Sequence, residues 1–220
     1  MLTTVSPHCR LAYAGVVSTV APSRRATNRR GQGGALRGEI LDATARLLAD
    51  ASAREAVTLR AIAREAGIAA PSIYRHFPDR DAILNAVVSQ TFVELSRACA
   101  AAAEGAPAGT GTVEVICRAY LDFARDHPGR YRVIFARSPA DIASPPTTYP
   151  DGIAAFELLR RAVAQCDERD TSTAREVTRD AQCLLAALHG LATLVPATPA
   201  FPWIDVDTAI HHLVDALTRC

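Results

Sequence analysis

Apolar residues recur at helical spacing along most of the chain after residue 37. In the first such segment, Ile40, Leu41, Ala45 and Leu48 fall on one helical face. The same spacing predicts further helices over residues 59–66, 70–76, 80–103, 113–126, 130–136, 153–165, 173–195 and 205–218. No segment alternates apolar and polar residues as a half-buried strand does. The pattern therefore predicts an all-α protein.

Caps and breakers mark the ends of these helices. Thr58 and Asp79 are candidate N-caps, and Gly67 tolerates the positive φ that ends a helix. Residues 138–152 hold four Pro and few apolar side chains, which predicts a loop. The long helix 173–195 becomes apolar all round, which predicts burial or an interface, and the Pro residues after it are expected to break it.

Residues 1–36 differ from the rest of the chain. They end in SRRATNRRGQGG, a composition that cannot bury a face, and are predicted to be a disordered basic arm. The arm is either a solvated tail or a contact to DNA phosphates. Its apolar piece fits a secretory signal poorly, and a start codon assigned too far upstream also explains it. No apolar run approaches the roughly 18 residues of a membrane span, so no membrane partner is expected.

The charge is distributed unevenly. The net charge is +1, but residues 1–37 carry six Arg and no acid, whereas residues 81–220 carry twelve Arg and seventeen acids. A basic N-terminal end on an acidic body favours a polyanionic partner at one end only. Hydrophobic residues make up 49% of the chain, which is enough to close a core.

The six cysteines indicate no metal site. None forms a CxxC pair or a cluster with His at zinc-ligand spacing, so no metal and no cofactor are expected. We expect reduced, mostly buried thiols in a cytoplasmic protein, with redox sensing by one of them as the alternative. The cysteines occupy positions 9, 99, 117, 166, 183 and 220.

The window TLRAIAREAGIAAPSIYRHF at residues 58–77 has the pattern of a helix-turn-helix. Ala63 is small where two helices must cross, and Gly67 permits the tight turn between them. Ile62, Ile68 and Ile73 form the apolar wedge that sets the crossing angle. The outer face of the second helix holds short or polar groups that fit a DNA major groove. The alternative is an ordinary helical hairpin inside a bundle.

The segment RGEILDATARLLADASAREAVTLRAIAREAGIAAPSIYRHFPDRDAIL resembles the DNA-binding domain of TetR-type transcriptional regulators. Its YRHFPDRDAIL end is the most specific part. The resemblance implies a three-helix helix-turn-helix head joined to a helical ligand-binding and dimerisation bundle. It also implies a homodimer, usually a repressor released by a small molecule. The expected organisation is a basic arm (1–36), a DNA-binding domain (37–82) and a ligand-binding and dimerisation domain (83–220).

The same resemblance assigns the DNA contacts. Residues 69–72 become the base-facing patch. The expected phosphate contacts are Thr58, Tyr74, His76 and Arg80, with Arg37 and Arg60 as further ones. Tyr74 and His76 have core packing as the alternative, and Arg75 is either a base contact or solvated. The candidate DNA-binding residues are Arg37, Thr58, Arg60, Ala69, Ala70, Pro71, Ser72, Tyr74, Arg75, His76 and Arg80.

The C-terminal part is similar to a recurrent ligand-domain type of that family. DHPGRYRVIFA and LLAALHGLATL carry the similarity, but Leu185 stands where the Trp of a Trp-His-Gly signature is expected. A small apolar ligand is expected between the helices, and each aromatic there has plain core packing as its alternative. His189 bonds either the ligand or a backbone carbonyl. The candidate pocket residues are Tyr120, Phe123, Tyr131, Phe135, Phe156, Cys183, His189 and Trp203.

Helices 173–195 and 205–218 are the predicted dimer contacts, because two helices from each subunit form a four-helix interface. A dimer implies a near-palindromic operator, with helix 80–103 as the lever between ligand and DNA. The chain holds no GxSxG, P-loop, GxGxxG or HExxH, so an enzyme is not expected. The other alternative is a DNA-binding protein without an inducer, acting as a constitutive or architectural factor.

Overall fold

The computed structural model describes residues 33–50, 57–135, 150–166 and 173–218, and these form nine α-helices and no strand. The predicted all-α fold is confirmed. The predictions for residues 1–32 and for most of the loop 138–152 lie outside the described residues. The helices are α1 (Gly33–Asp50), α2 (Leu59–Glu65), α3 (Ala70–Ile73), α4 (Arg80–Ala103), α5 (Thr110–Asp126), α6 (Pro128–Phe135), α7 (Pro150–Cys166), α8 (Ala174–Ala197) and α9 (Val206–Leu217).

Helices α1, α2 and α3 form a small head. Thr58 caps α2, since its Oγ1 accepts a hydrogen bond from the Ala61 N–H at 3.2 Å. Gly67 follows α2 with φ +65°, a conformation that L side chains rarely adopt, and so permits the turn into α3. Ile62 and Ile73 are fully buried in the head core. This is the helix-turn-helix that the sequence predicts.

The first helix begins earlier than the sequence analysis placed it. α1 starts at Gly33, so residues 33–36 belong to the head and not to the predicted arm. The reason is Leu36, which extends the apolar stripe one turn before Ile40 and is only 7% exposed. Burial of that side chain favours a helical backbone through the last residues of the predicted arm.

Other helix ends also differ from the prediction. α5, α6 and α7 begin two or three residues earlier than predicted, so residues 150–152 of the predicted loop are helical. α3 stops at Ile73 and not at His76, because the N–H groups of His76 and Phe77 both bond the Ile73 carbonyl and tighten the chain into a turn. α8 continues through Pro196 and is not broken by it. The missing N–H of Pro196 falls in the last turn, which the Thr198 N–H closes onto the Leu194 carbonyl at 2.9 Å.

Helix α4 belongs to the cores of both head and body. Asp79 caps it by accepting a hydrogen bond from the Ala82 N–H at 2.7 Å. Its first half places Ile83 and Val88 in the head core, and its second half places Leu95 in the body core. The predicted extent of this helix, 80–103, is confirmed. The two cores are therefore joined by one continuous helix.

The body gathers the second half of α4 with α5, α7, α8 and α9 around one core, in which α4 contacts α5 and α7, and α8 contacts α5, α7 and α9. Its deepest side chains, at zero exposure, include Val113, Cys117, Leu184 and Val214. A capping box between Thr173 and the helix N-terminus fixes the start of α8. These contacts leave the body as a helical bundle with its own core.

Three of the four described cysteines are buried: Cys99, Cys117 and Cys166. Burial raises the pKa of the Cys99 and Cys117 thiols to about 12 each. Both thiols are therefore protonated at neutral pH and act as small apolar groups. Cys183 differs, because it is exposed on α8.

Helix α8 leaves much of its apolar surface uncovered. Its inner face buries Val177, Ala181, Leu184 and Leu188, whereas Leu194 is 52% exposed. By length and composition alone α8 is the one described helix that could cross a membrane, which is weak evidence for a membrane protein. Cys183, Ala186 and Thr193 on its outer face are exposed as well.

Candidate nucleic-acid interface and ligand cavity

Five head residues line an open depression of about 560 Å³: Thr58, Leu59, Arg60, Tyr74 and Arg80. All but Leu59 are predicted DNA contacts, so the fold brings these four together on one surface. Tyr74 is 60% exposed, and Arg60 is also exposed. Two cations, a phenol and a hydroxyl at the start of a helix are groups that hold a phosphate.

Backbone contacts position the groups at the rim of the depression. Arg80 Nε donates to the Val57 carbonyl at 2.6 Å, which ties the start of α4 to the residue before the α2 cap. Thr58 Oγ1 is held as the cap acceptor for α2, and its hydroxyl proton can donate outward. The geometry of the depression is therefore set by the helix-turn-helix and the start of α4.

The predicted base-facing patch lies on and just before α3. Ala69 and Pro71 are exposed, and Ala70 and Ser72 are half-buried. None of these four side chains is bulky, which leaves the α3 backbone open to approach by a DNA groove. The patch offers van der Waals contact and one hydroxyl for base recognition.

The remaining predicted DNA contacts lie around this surface. Arg75 is exposed and His76 is half-buried in the turn after α3. The Arg37 guanidinium lies 4.9 Å from the centroid of the Phe77 ring, an arrangement that favours a cation over an aromatic face. Arg37 is thus exposed but held by Phe77, and it does not line the depression.

The body holds a cavity of about 460 Å³ between α4, α5, α7 and α8. Tyr120, Phe135 and Phe156, all predicted pocket residues, line it. No charged side chain lines it among the described residues, and its hydroxyl groups come from Ser96 and Tyr120. Such a wall excludes charged groups and admits an apolar molecule.

Helix α4 supplies cavity residues that the sequence analysis missed. They are Phe92, Leu95, Ser96 and Cys99. Their spacing of three and four residues places them on one face of a helix, a signal that the sequence does carry, but the sequence pattern predicts this helix only as the lever. Leu185, which stands in place of the signature Trp, also lines the cavity and leaves space there.

A chain of two hydrogen bonds runs beside the cavity. The hydroxyls of Tyr120 and Tyr131 are 2.8 Å apart, and the Tyr131 hydroxyl is 2.8 Å from His189 Nδ1. Burial raises the pKa of Tyr131 to about 12 and that of Tyr120 well above its ordinary range. Burial lowers the pKa of His189, because it penalises the imidazolium. Among the described residues, the partner of His189 is thus a tyrosine and not a backbone carbonyl.

The other predicted pocket residues lie elsewhere. Tyr131 and His189 line a larger open cleft of about 860 Å³ between α5, α6 and α8. Phe123 is buried and packs against His127, with ring centroids 4.9 Å apart. Cys183 is on the outer face of α8. Trp203 donates from Nε1 to the Thr198 carbonyl at 3.2 Å in the α8–α9 connection.

Helix α6 attaches the body to the head. Gly129 is buried against Ala49 of α1. Arg130 forms ion pairs with Asp42 of α1, at 2.6 Å, and with Glu94 of α4. Because α6 also carries Tyr131 and Phe135, a single short helix contacts both the head and the cavities of the body.

An exposed helix-turn-helix, joined by one long helix to a helical body with an apolar cavity, defines a DNA-binding transcription regulator. The chain belongs to the TetR family. A family model described as "Bacterial regulatory proteins, tetR family" matches residues 40–87, and one described as "Tetracyclin repressor-like, C-terminal domain" matches residues 113–217. This confirms the family that the sequence resembles, which is a class of transcription regulators.

Solved structures share the fold over nearly their whole length. A protein of unknown function from Rhodococcus sp. RHA1 has a TM-score of 0.69 at 25% identity, covering 86% of this chain and 97% of that one. A TetR family transcription regulator from Marinobacter aquaeolei VT8 has a TM-score of 0.62 at 14% identity, covering 86% and 98%. The TetR family regulator PfmR from Thermus thermophilus has a TM-score of 0.60 at 18% identity, covering 83% and 95%. A comparison with curated proteins gave no match.

Proposed function

We propose that the protein is a cytoplasmic homodimeric repressor that binds a near-palindromic operator and is released by a small-molecule ligand. The observation that carries this proposal is helix α4. Its first half is part of the DNA-binding head, and its second half forms one wall of the apolar cavity. A ligand that changes the cavity therefore acts on an element of the head.

In this proposal, the depression at Thr58, Arg60, Tyr74 and Arg80 binds backbone phosphates, and residues 69–72 face the bases. The support is the grouping of two arginines with an exposed phenol beside a short, uncluttered helix. Phosphate contacts set the position of the head, and the patch on α3 supplies sequence preference through contacts and DNA shape.

The dimer forms through α8 and α9. The outer face of α8 carries Cys183, Ala186, Gly190 and Thr193, which recur every three to four residues and are small. Small side chains let two helices approach closely, and Leu194 adds exposed apolar area beside them. Burial of this face against a second copy of the chain explains why α8 leaves apolar surface exposed in a single chain.

Ligand release uses two links between body and head. α4 is continuous through both, and α6 holds α1 through the contacts of Gly129 and Arg130. A ligand that favours one arrangement of these helices changes the separation of the two heads in the dimer. The cavity supports this sensor over the constitutive or architectural alternative, which needs no internal space.

The test is fluorescence anisotropy of the purified protein on the intergenic DNA beside its own gene. A random duplex and a salt series accompany it. We expect tight binding of two subunits per operator site and weak, salt-sensitive binding to the random duplex. Equal binding to both duplexes, unaffected by Tyr74→Ala, would contradict the DNA-binding proposal. A thermal-shift screen then separates a sensor from a constitutive factor, because a ligand of the native state raises Tm.

A further inference from the structure

Three cavities of the body meet at the ring of Phe135. The apolar cavity shares Phe135, Phe156 and Leu185 with a third space of about 350 Å³. That space shares Phe135 and His189 with the open cleft of about 860 Å³. Phe135 is 37% exposed, so its ring is only partly held by packing. The three spaces, which border one another at this side chain, form a candidate channel.

The two ends of this channel differ in chemistry. The inner end has no charged side chain among the described residues of its wall. The open cleft is lined by Arg118, Arg125 and Arg132, with Asp122 as the carboxylate among them. A molecule that fills both ends is therefore apolar along most of its length and polar at one end.

Two of the three arginines already have counter-charges. Arg118 pairs with Asp207 of α9. Arg125 pairs with Asp122 at 2.7 Å and with Asp126 at 2.9 Å. These ion pairs leave neither guanidinium as an unopposed cation in the cleft.

Arg132 is different. Its guanidinium donates to the carbonyl of Ala49 in α1, and it forms no ion pair with the side chains that the structure describes. Among the residues that the structure describes, its partner is thus a neutral carbonyl, and it lies at the edge of a cleft that borders the apolar cavity at Phe135. Such a position favours a carboxylate, which a guanidinium binds with two parallel hydrogen bonds.

We propose that the channel binds an amphipathic organic anion, with its apolar chain in the inner cavity and its carboxylate on Arg132. This inference rests on the proposed function and names the class of its inducer. It also assigns a role to the contact between Arg132 and Ala49. A carboxylate on Arg132 competes with that carbonyl for the guanidinium and so loosens α6 from the DNA-binding head.

The test is calorimetric titration of the full chain with decanoate and with decanamide. The two probes have the same chain and differ in the charge of the head. We expect decanoate to bind about tenfold tighter than decanamide, as a charge-assisted hydrogen bond predicts. In Arg132→Gln the two affinities become equal. Arg97→Gln, which removes the same charge from an exposed site on α4, keeps the preference.

Three outcomes would overturn the proposal: equal affinities in the wild type, a preference that survives Arg132→Gln, or no binding of either probe. A second variant tests where the chain lies. In Leu185→Trp the larger side chain occupies the inner cavity, so both probes weaken by about fivefold or more. Unchanged affinities in this variant would place the chain outside the cavity and also contradict the proposal.

The same probes separate this inference from the proposed function. The titration needs no DNA, so it reports on the channel alone. Operator anisotropy with saturating decanoate then reports on release. Binding through Arg132 without any change in operator affinity would reject ligand release and leave the anion site in place.

Discussion

Gly129 of α6 lies directly against Ala49 of α1. A Cβ atom at position 129 would be 2.8 Å from Ala49 Cα, closer than such atoms approach in proteins. The glycine therefore lets α6 lie on α1, and the neighbouring Arg130 then reaches Asp42. Absence of a side chain at one position thus sets the contact between the ligand-binding body and the DNA-binding head.

Gly129→Ala is expected to destabilise the protein. The added methyl group has to displace the backbone of α1, which costs about 1–3 kcal/mol. Urea denaturation measures the free energy of unfolding. Gly38→Ala is the matched control, because a Cβ there meets nothing within 4 Å and helical Ala is preferred to Gly by about 0.5–1 kcal/mol. If both variants changed stability equally, the close approach of α6 to α1 would be contradicted.

Arg130→Gln is expected to lower the free energy of unfolding by about 1–2 kcal/mol. The variant leaves the carboxylates of Asp42 and Glu94 without their half-buried partner. Arg160→Gln, which removes only a local pair with Glu157 on α7, should cost about 0.3–0.5 kcal/mol. Equal losses in chemical denaturation would show that Arg130 does not bridge the helices.

Tyr74→Ala is expected to weaken operator binding at least about tenfold while Tm stays unchanged. The side chain is 60% exposed and lines the head depression, so its loss removes a DNA contact without opening the core. Arg60→Gln should lower the dependence of log affinity on log salt by about one unit. Arg175→Gln, exposed on α8, serves as its control. A lower Tm in Tyr74→Ala would instead indicate that Tyr74 has a structural role.

Stability is expected to fall as the pH is lowered below about 6.5, through His189. Burial lowers the pKa of this imidazole in the folded state, so the unfolded chain binds the proton more readily in this range. The stabilising contribution is present above the unfolded pKa and is lost as pH falls through the folded pKa. Thermal unfolding of wild type and His189→Gln between pH 7 and about pH 5 measures it.

The control for this pH series is His211. Its hydrogen bond with Glu114 raises its pKa, so its contribution has the opposite sign and is lost as pH rises. His211→Gln should therefore make the fall in Tm at low pH steeper than in wild type, whereas His189→Gln should make it shallower. Identical profiles of wild type and His189→Gln would show that this imidazole is not desolvated in the folded protein.

Ala186→Arg is expected to dissociate the dimer. Ala186 is exposed on the outer face of α8, where an arginine would be tolerated in a monomer but would separate two helices that pack closely. Sedimentation equilibrium measures whether the variant is a monomer or a dimer. Ala164→Arg makes the same change on an exposed position of α7 and should leave the dimer intact. A dimeric Ala186→Arg would place the interface elsewhere.

The sequence alone was enough to predict the helices and the helix-turn-helix head. Local signals determine these features: the helical apolar spacing, the caps Thr58 and Asp79, and the turn glycine Gly67. It erred at helix ends, once through burial and once through the position of a proline. Leu36 drew the arm's last residues into α1, and α8 ran through Pro196 because only its last turn was affected.

The tertiary structure decided the composition of the cavities. Tyr120, Phe135 and Phe156 line the apolar cavity, whereas Phe123, Cys183 and Trp203 do not. Which residues line a cavity depends on which face of each helix points inward. The link of Tyr120, Tyr131 and His189, like the contact between Gly129 and Ala49, joins residues far apart in the chain. Such contacts arise from helix packing, which no local pattern encodes.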